Sequence, residues 1–265
     1  MQPEKQIFVP HLFDLIYDYS WHLITRNFAF LFQNYDAINR SNRNQLIKHN
    51  EFFINTGDGG YQILETPIHA IIFILTFATT LRLYNSDMFR RELHAKIGNI
   101  EVRYVITRDD LYRYNCKNNK NFYGASIINN SRILSKDRLN RLIIDNNTYN
   151  WFLNRTIGIE NLMSLGLSNI KDIDEFSDYD HAKIDNENNA LIPKENLGTV
   201  QEGIKSIDVQ KIGKIKQKGD YLDIYNLHIQ AVIHYRAFLQ KQEKTITISV
   251  GNLNISGIVN EEVIQ

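Results

Sequence analysis

The stretch that most constrains this chain is Glu51 to Leu64, EFFINTGDGGYQIL. An apolar run, Phe52-Phe53-Ile54, meets Thr56-Gly57-Asp58-Gly59-Gly60, and a second strand-like run, Tyr61-Gln62-Ile63-Leu64, follows at once. Strand, glycine-flanked acid, strand predicts a β-hairpin, because glycine reaches the positive φ angles of a tight turn without steric cost. A lone Asp-Gly turn is often only a turn, its carboxylate bonded to its own loop backbone. Glycine on both sides of Asp58 removes neighbouring side chains and leaves the carboxylate open to a hard cation, and to a phosphate carried by that cation.

The rest of the chain predicts what the hairpin belongs to. Leu12 to Asp18 reads as a strand carrying Asp14 and Asp18; Ser20 reads as an N-cap and Trp21 to Asn39 as an amphipathic helix. Pro67 opens a second helix, Ile68 to about Ser86. Ile100 to Thr107 alternates as a strand, Asp109 to Asn121 reads as a second hairpin or flap, and Ala125 to Leu134 as a helix. Leu142 to Asp145 is a short strand, Asn147 to Leu153 a short helix, and 168–201 a polar loop or insertion. Strands follow at Val209 to Ile215, at Leu222 to Leu227 and in the tail, Thr245 to Val250. Helices interspersed with hairpin-linked strands predict an α+β fold with a mostly antiparallel sheet, and the tail strand reads as an extension beyond it.

Charge and composition exclude several functions. Lys+Arg and Asp+Glu are equal at 30 each, so no global field favours nucleic acid or an anionic membrane. The single cysteine, Cys116, leaves no internal disulfide and no cysteine-rich zinc site, and suits a reducing compartment. The eight histidines show no HxxxH or HxH spacing. The acids and Pro10 in the first 20 residues are unlike a signal peptide, and Ile68 to Leu83 is too short to span a bilayer, so a cytoplasmic domain is expected. No GxGxxG, Walker loop or GxSxG motif is present.

In order, an acid-bearing strand, a long helix, the Gly57-Asp58-Gly59 hairpin, a second long helix and Val102-Arg103-Tyr104-Val105-Ile106 resemble the class III nucleotide cyclase catalytic domain. The likeness continues through Asn121-Phe122-Tyr123-Gly124, Ser131-Arg132-Ile133-Leu134, and Lys218-Gly219 shortly before Ile224-Tyr225-Asn226-Leu227. It covers roughly residues 12–228, leaving 229–265 as a strand-rich C-terminal extension. It implies a ferredoxin-like fold that works as a homodimer with active sites at the interface. Two aspartates would hold two divalent cations, Mn²⁺ or Mg²⁺, on a nucleoside triphosphate. The ribose 3′-oxygen would attack the α-phosphorus and expel pyrophosphate.

Carried over by position, Asp58 matches the second metal acid, and Asp18 or Asp14 the first. Asp18 has Leu15-Ile16-Tyr17 behind it, whereas Asp14 stands 44 residues before Asp58, close to the family spacing. Arg132, eight residues after Gly124, matches the transition-state arginine. Ile128 stands where its partner asparagine is expected, and a one-residue slip would bring Asn129 into that role. Lys218 matches the phosphate-contacting lysine, with Lys214 and Lys216 as alternatives. At the base-reading positions the chain has Ile54 and Asn121. Isoleucine cannot bond a purine edge, while an asparagine amide can both donate to and accept from a pyrimidine. This is similar to the pyrimidine cyclases of bacterial Pycsar antiphage systems, which make cyclic UMP or cyclic CMP, and the asparagine favours UTP. A purine cyclase with altered contacts, and a degenerate domain that binds nucleotide without turnover, stay open beside it.

Overall fold

The computed structural model describes residues 8–27, 52–57, 59–116, 119–137, 139–154, 203–216, 220–237 and 242–252. Asp58, Lys218, residues 28–39 of the expected first helix and the segment 168–201 lie outside them.

The first described element corrects the expected strand. Helix α1 runs unbroken from Phe8 to Asn27 and carries both Asp14 and Asp18. Leu12, Ile16, Tyr17, Ser20, Trp21, Leu23 and Ile24 are all buried, a stripe of helical period and not of period two. Ser20 is no cap: it sits in mid-helix and its hydroxyl donates back to the Ile16 carbonyl at 2.6 Å. Strands β1 (Phe53–Asn55) and β2 (Gly60–Gln62) then form the expected antiparallel hairpin. Helix α2, Pro67–Asn85, begins on its proline. At 19 residues it exceeds the run read from the sequence, and by length and composition alone it could cross a membrane; most of it is buried in the fold. A short helix, α3 (Arg91–Ile97), was not anticipated.

Strand β3 (Tyr104–Ile106) leads to an antiparallel ribbon, β4 (Leu111–Cys116) and β5 (Asn119–Gly124), which runs directly into helix α4 (Ala125–Lys136). Strand β6 (Leu142–Asp145) and helix α5 (Asn146–Leu153) follow as expected. Asp145 caps α5, accepting from the Thr148 amide at 2.9 Å. Three long strands, β7 (Gly203–Lys216), β8 (Tyr221–Ala237) and β9 (Gln242–Val250), complete the described chain.

The main sheet has five strands in the order β3-β6-β8-β7, with β9 also on β8. Only β3 and β6 are parallel; the other pairings are antiparallel. β7 lies along one edge of β8, and the other edge is shared end to end, β6 pairing with Ile224 to Leu227 and β9 with Ile229 to Ala237. Residue 228, where the sequence suggested that the main domain ends, is therefore inside a strand, and β9 belongs to the same sheet. At the junction, Asn226 Nδ2 donates to the Asn252 carbonyl at 2.8 Å, and Asn252 Nδ2 to that of Asn140 at 3.1 Å.

Alternation assigns the two faces. Leu142, Ile144, Tyr225, Leu227, Ile229, Ile248 and Val250 pack with the buried residues of α1 and α2. Ile143, Leu222 and Ile224 pack on the other face with Ile133 of α4. A bulge between Lys211 and Gly213 lets Ile212 and Ile215, three apart, join that second cluster. The result is a mixed α+β sandwich with a mostly antiparallel sheet. Helix α4 also covers the outer edge of β3: Asn130 Nδ2 donates to the Val105 carbonyl at 3.1 Å, and the Ser126 hydroxyl to that of Thr107 at 3.0 Å. Those groups would otherwise offer an unpaired strand edge.

Candidate functional site

The hairpin has two faces, set by its register. Phe53 and Gln62 are cross-strand partners, as are Ile54 and Tyr61. The first pair meets α1: the Phe53 ring lies 4.6 Å from Tyr17 and 5.9 Å from Phe13, and the Tyr17 hydroxyl donates to Gln62 Oε1 at 2.5 Å. The second face meets the ribbon and α4. Phe52, two residues before Ile54, lies 6.0 Å from Phe122. The Tyr61 hydroxyl is 2.6 Å from Ser131 Oγ, one residue before Arg132.

The turn itself is anchored by Asn55, whose Oδ1 accepts from the Gly57 amide at 2.7 Å, and by the Thr56 amide bonding the Gly59 carbonyl at 3.1 Å. Gly57 has φ +99°, the conformation for which the sequence supplied a glycine. Gly124, at the junction of ribbon and α4, has φ +156°; a side chain there would run into the backbone of Asp110 and Leu111.

The structure brings the elements of several expected residues together, and it separates others. The hairpin that carries Asp58 contacts both the ribbon of Asn121 and the helix of Arg132. Arg132 is exposed, as is Ile128 one turn before it, whereas Asn129 is buried in the same strip as Ile133. The one-residue slip therefore leaves Asn129 in the packed side of α4 and not on the open side with Arg132, a consequence of helix phase. Asn121 pairs with Tyr114 in the ribbon, while Phe122 pairs with Arg113. Because faces alternate, the register position of Asn121 belongs to the face of Tyr112, Tyr114 and Tyr123. The face that meets Phe52 holds Phe122 and Arg113 instead. Arg113, which the sequence reading did not single out, has its guanidinium carbon 5.3 Å from the Phe52 ring centre and 5.6 Å from that of Phe122.

Asp14 and Asp18 stand one helical turn apart on α1, not at a strand end. Partial burial, with the Asp14 charge adding to it, raises the carboxyl of Asp18 above its usual range. Among the described residues no group of three or more His, Cys, Asp or Glu side chains is placed to hold a metal. The donors on hand are nevertheless hard carboxylates, suited to Mg²⁺ or Mn²⁺, and α1 packs directly on the hairpin of Asp58. Near the other end of the sheet, Lys211 Nζ bonds Asp223 at 2.5 Å and Lys214 Nζ lies 3.8 Å from the same carboxylate. Lys214 is thus engaged on the surface, and Lys216 is exposed.

No family model, curated protein or solved structure matches this chain.

Proposed function

We propose that this protein is a cyclase of the class III type that converts a pyrimidine nucleoside triphosphate, UTP or CTP, to the 3′,5′-cyclic mononucleotide and pyrophosphate. It acts in the cytoplasm as a homodimer, and its product is the signal of an antiphage response. The observation that carries the reading is the docking of the Gly57-Asp58-Gly59 hairpin on α4 through Tyr61 and Ser131, next to Arg132. That contact makes the acid-bearing turn and the arginine-bearing helix neighbours, as the reading requires, while the hairpin stands as a two-stranded sheet apart from the five-stranded one.

In this reading Asp58, with Asp18 or Asp14, holds the divalent cations, which supply charge neutralisation on the triphosphate. Arg132, exposed on α4, meets charge that builds at the transferred phosphorus. Phe52 and Ile54 give the base an apolar wall. The exposed α4 strip of Ala125, Ile128 and Arg132 is the surface through which a second copy would complete each site.

Incubating the full chain with ATP, GTP, CTP and UTP in Mn²⁺, and separating the products by chromatography, tests the proposal. A cyclic pyrimidine nucleotide and pyrophosphate are expected, and Asp58→Asn should abolish both while the protein stays folded. Preference for ATP or GTP would overturn the pyrimidine assignment. A second reading, nucleotide binding without turnover, is favoured by the buried Asn129 and by Ile128 in the exposed position one turn from Arg132. Saturable binding with no product would establish it.

A further inference from the structure

We infer that Tyr61 is a positioning residue, the joint that sets the arginine-bearing helix α4 at a fixed distance from the acid-bearing helix α1. The inference rests on the cyclase reading for what is positioned, and on the geometry of strand β2 for how. Adjacent residues of a strand point to opposite sides, so Tyr61 and Gln62 reach in opposite directions from one short strand. Gln62 Oε1 accepts from the Tyr17 hydroxyl at 2.5 Å, and Tyr17 immediately precedes Asp18. The Tyr61 hydroxyl is 2.6 Å from Ser131 Oγ, and Ser131 immediately precedes Arg132. Two consecutive side chains thus hold the neighbours of two site residues, on two different helices.

The two ends are built differently. On the α1 side the amide of Gln62 is oriented by donating to the Phe52 carbonyl at 3.3 Å and the Ile63 carbonyl at 3.1 Å, which turns its Oε1 to Tyr17. Beside it the Phe53 ring lies against Tyr17 and Phe13, packed on the main core. That end is fixed by packing. On the α4 side the bond joins two hydroxyls at the surface, and the nearby contact of Phe52 with Phe122 goes to the ribbon. Both hydroxyls would bond water if they parted, so their bond adds little to stability. What it supplies is direction: the reach of one tyrosine from β2 sets where the Ser131 turn of α4 stands, and Arg132 moves with it. Acids and arginine act on one triphosphate only when their separation matches it, and a misplacement of about 1 Å can cost about a hundredfold in rate. A site drawn from two copies obeys the same spacing, since each copy carries both halves.

The test uses the full chain with Tyr61→Phe, with Ser131→Ala, with both together, and with Ser131→Thr, each compared with the parent by thermal melting. Two readouts are taken: kcat and KM for the nucleoside triphosphates in Mn²⁺, and hydrogen exchange of the hairpin amides without nucleotide. Each single variant that loses a hydroxyl should show a kcat lower by about tenfold or more at nearly constant KM, with no further loss when the two are combined. Ser131→Thr, which keeps a hydroxyl, should recover most of what Ser131→Ala loses. The hairpin amides should exchange faster in both single variants, and those of α1 should not. Unchanged kcat in both overturns the inference. So does a loss carried by KM alone, which would make Tyr61 a substrate contact, or a combined loss equal to the product of the two. If the parent forms no cyclic product, the cyclase reading falls by itself. The joint then stands if the hairpin amides exchange faster in both variants, and falls too if they do not.

Discussion

Replacing Gly124 by alanine tests whether the junction between the ribbon and α4 is built as the structure describes. Two independent terms oppose the substitution. The backbone has φ +156° and ψ 171°, a region close to glycine-only, and holding another residue there costs about 1–3 kcal/mol. A Cβ would also stand closer than 3.0 Å to the Asp110 carbonyl oxygen and 3.1 Å from Leu111 Cα, backbone atoms that cannot rotate aside. Forcing a methyl into such a place adds about 1–3 kcal/mol. Some relaxation is shared between the two, so a loss of about 2–5 kcal/mol is expected. Gly57 supplies the control: its φ is +99°, but nothing lies within 4 Å of an added Cβ, so only the conformational term remains, about 1–2 kcal/mol. Urea unfolding, followed by the fluorescence of the buried Trp21, should rank the variants, Gly124→Ala lowest and Gly57→Ala between it and the parent. Because β5 runs straight into α4, any Gly124→Ala protein that folds should also lose activity through a displaced Arg132. A Gly124→Ala chain within about 0.5 kcal/mol of the parent would refute the steric argument.

Three further outcomes are expected. Burial, opposed by bonds from Thr148 and Arg108 and reinforced by Asp109, raises the Asp145 carboxyl above its ordinary value of 3.8. Its contribution to stability is then full below that pH and lost as pH rises through the folded value. Asp145→Asn keeps an N-cap, so parent stability should fall relative to the variant between pH 4 and neutrality; a constant difference across that range would count against it. Arg141 and Asp137 form an ion pair at 2.6 Å with side chains only 1% and 3% exposed, so Arg141→Met should cost about 3–5 kcal/mol in unfolding experiments, and adding Asp137→Leu should recover part of that. Finally, mixing Asp58→Asn with Arg132→Ala protein should restore part of the cyclase activity if each site draws on two copies; no recovery from proven heterodimers would reject the shared site.

Much of the fold was legible where local chemistry and periodicity agree. Pro67 and the apolar run after it gave α2, Leu142 to Asp145 and the polar residues beyond gave β6 and α5, and the first hairpin followed from its turn; the second, expected over Asp109 to Asn121, pairs from Leu111 to Gly124. The first helix was misread because Leu12 to Asp18 is dense in apolar and aromatic residues, while its helical stripe emerges only when Trp21, Leu23 and Ile24 are included. The serine taken as a start signal bonds backwards along the helix instead. Helix α3 lacks a start signal, since Arg90 ahead of it has φ +51° and no capping side chain, although Glu92 in its first turn and Gly98 at its C-terminus were signals available to the reading. The candidate site was legible as a set of elements more than as a set of side chains. Which of Asn121, Phe122 and Arg113 faces the hairpin depends on ribbon register, and a shift of one residue exchanges the two faces.

The shared edge of β8 bears on how the chain is made. As residues emerge from the ribosome, α1, the hairpin and α2 precede β9, yet part of the surface that buries them is supplied by Ile248 and Val250 of β9. Until the segment 242–252 has emerged, the backbone of β8 from Ile229 to Ala237 lacks its partner on that side, and the bond from Asn252 to the Asn140 carbonyl cannot form. Completing the sheet is therefore a late event in synthesis, dominated by contacts distant in sequence, which favours slow folding and dependence on cellular protection in the interval. A nascent chain arrested just short of β9 should be readily cleaved by protease, and one extended past Asn252 should resist.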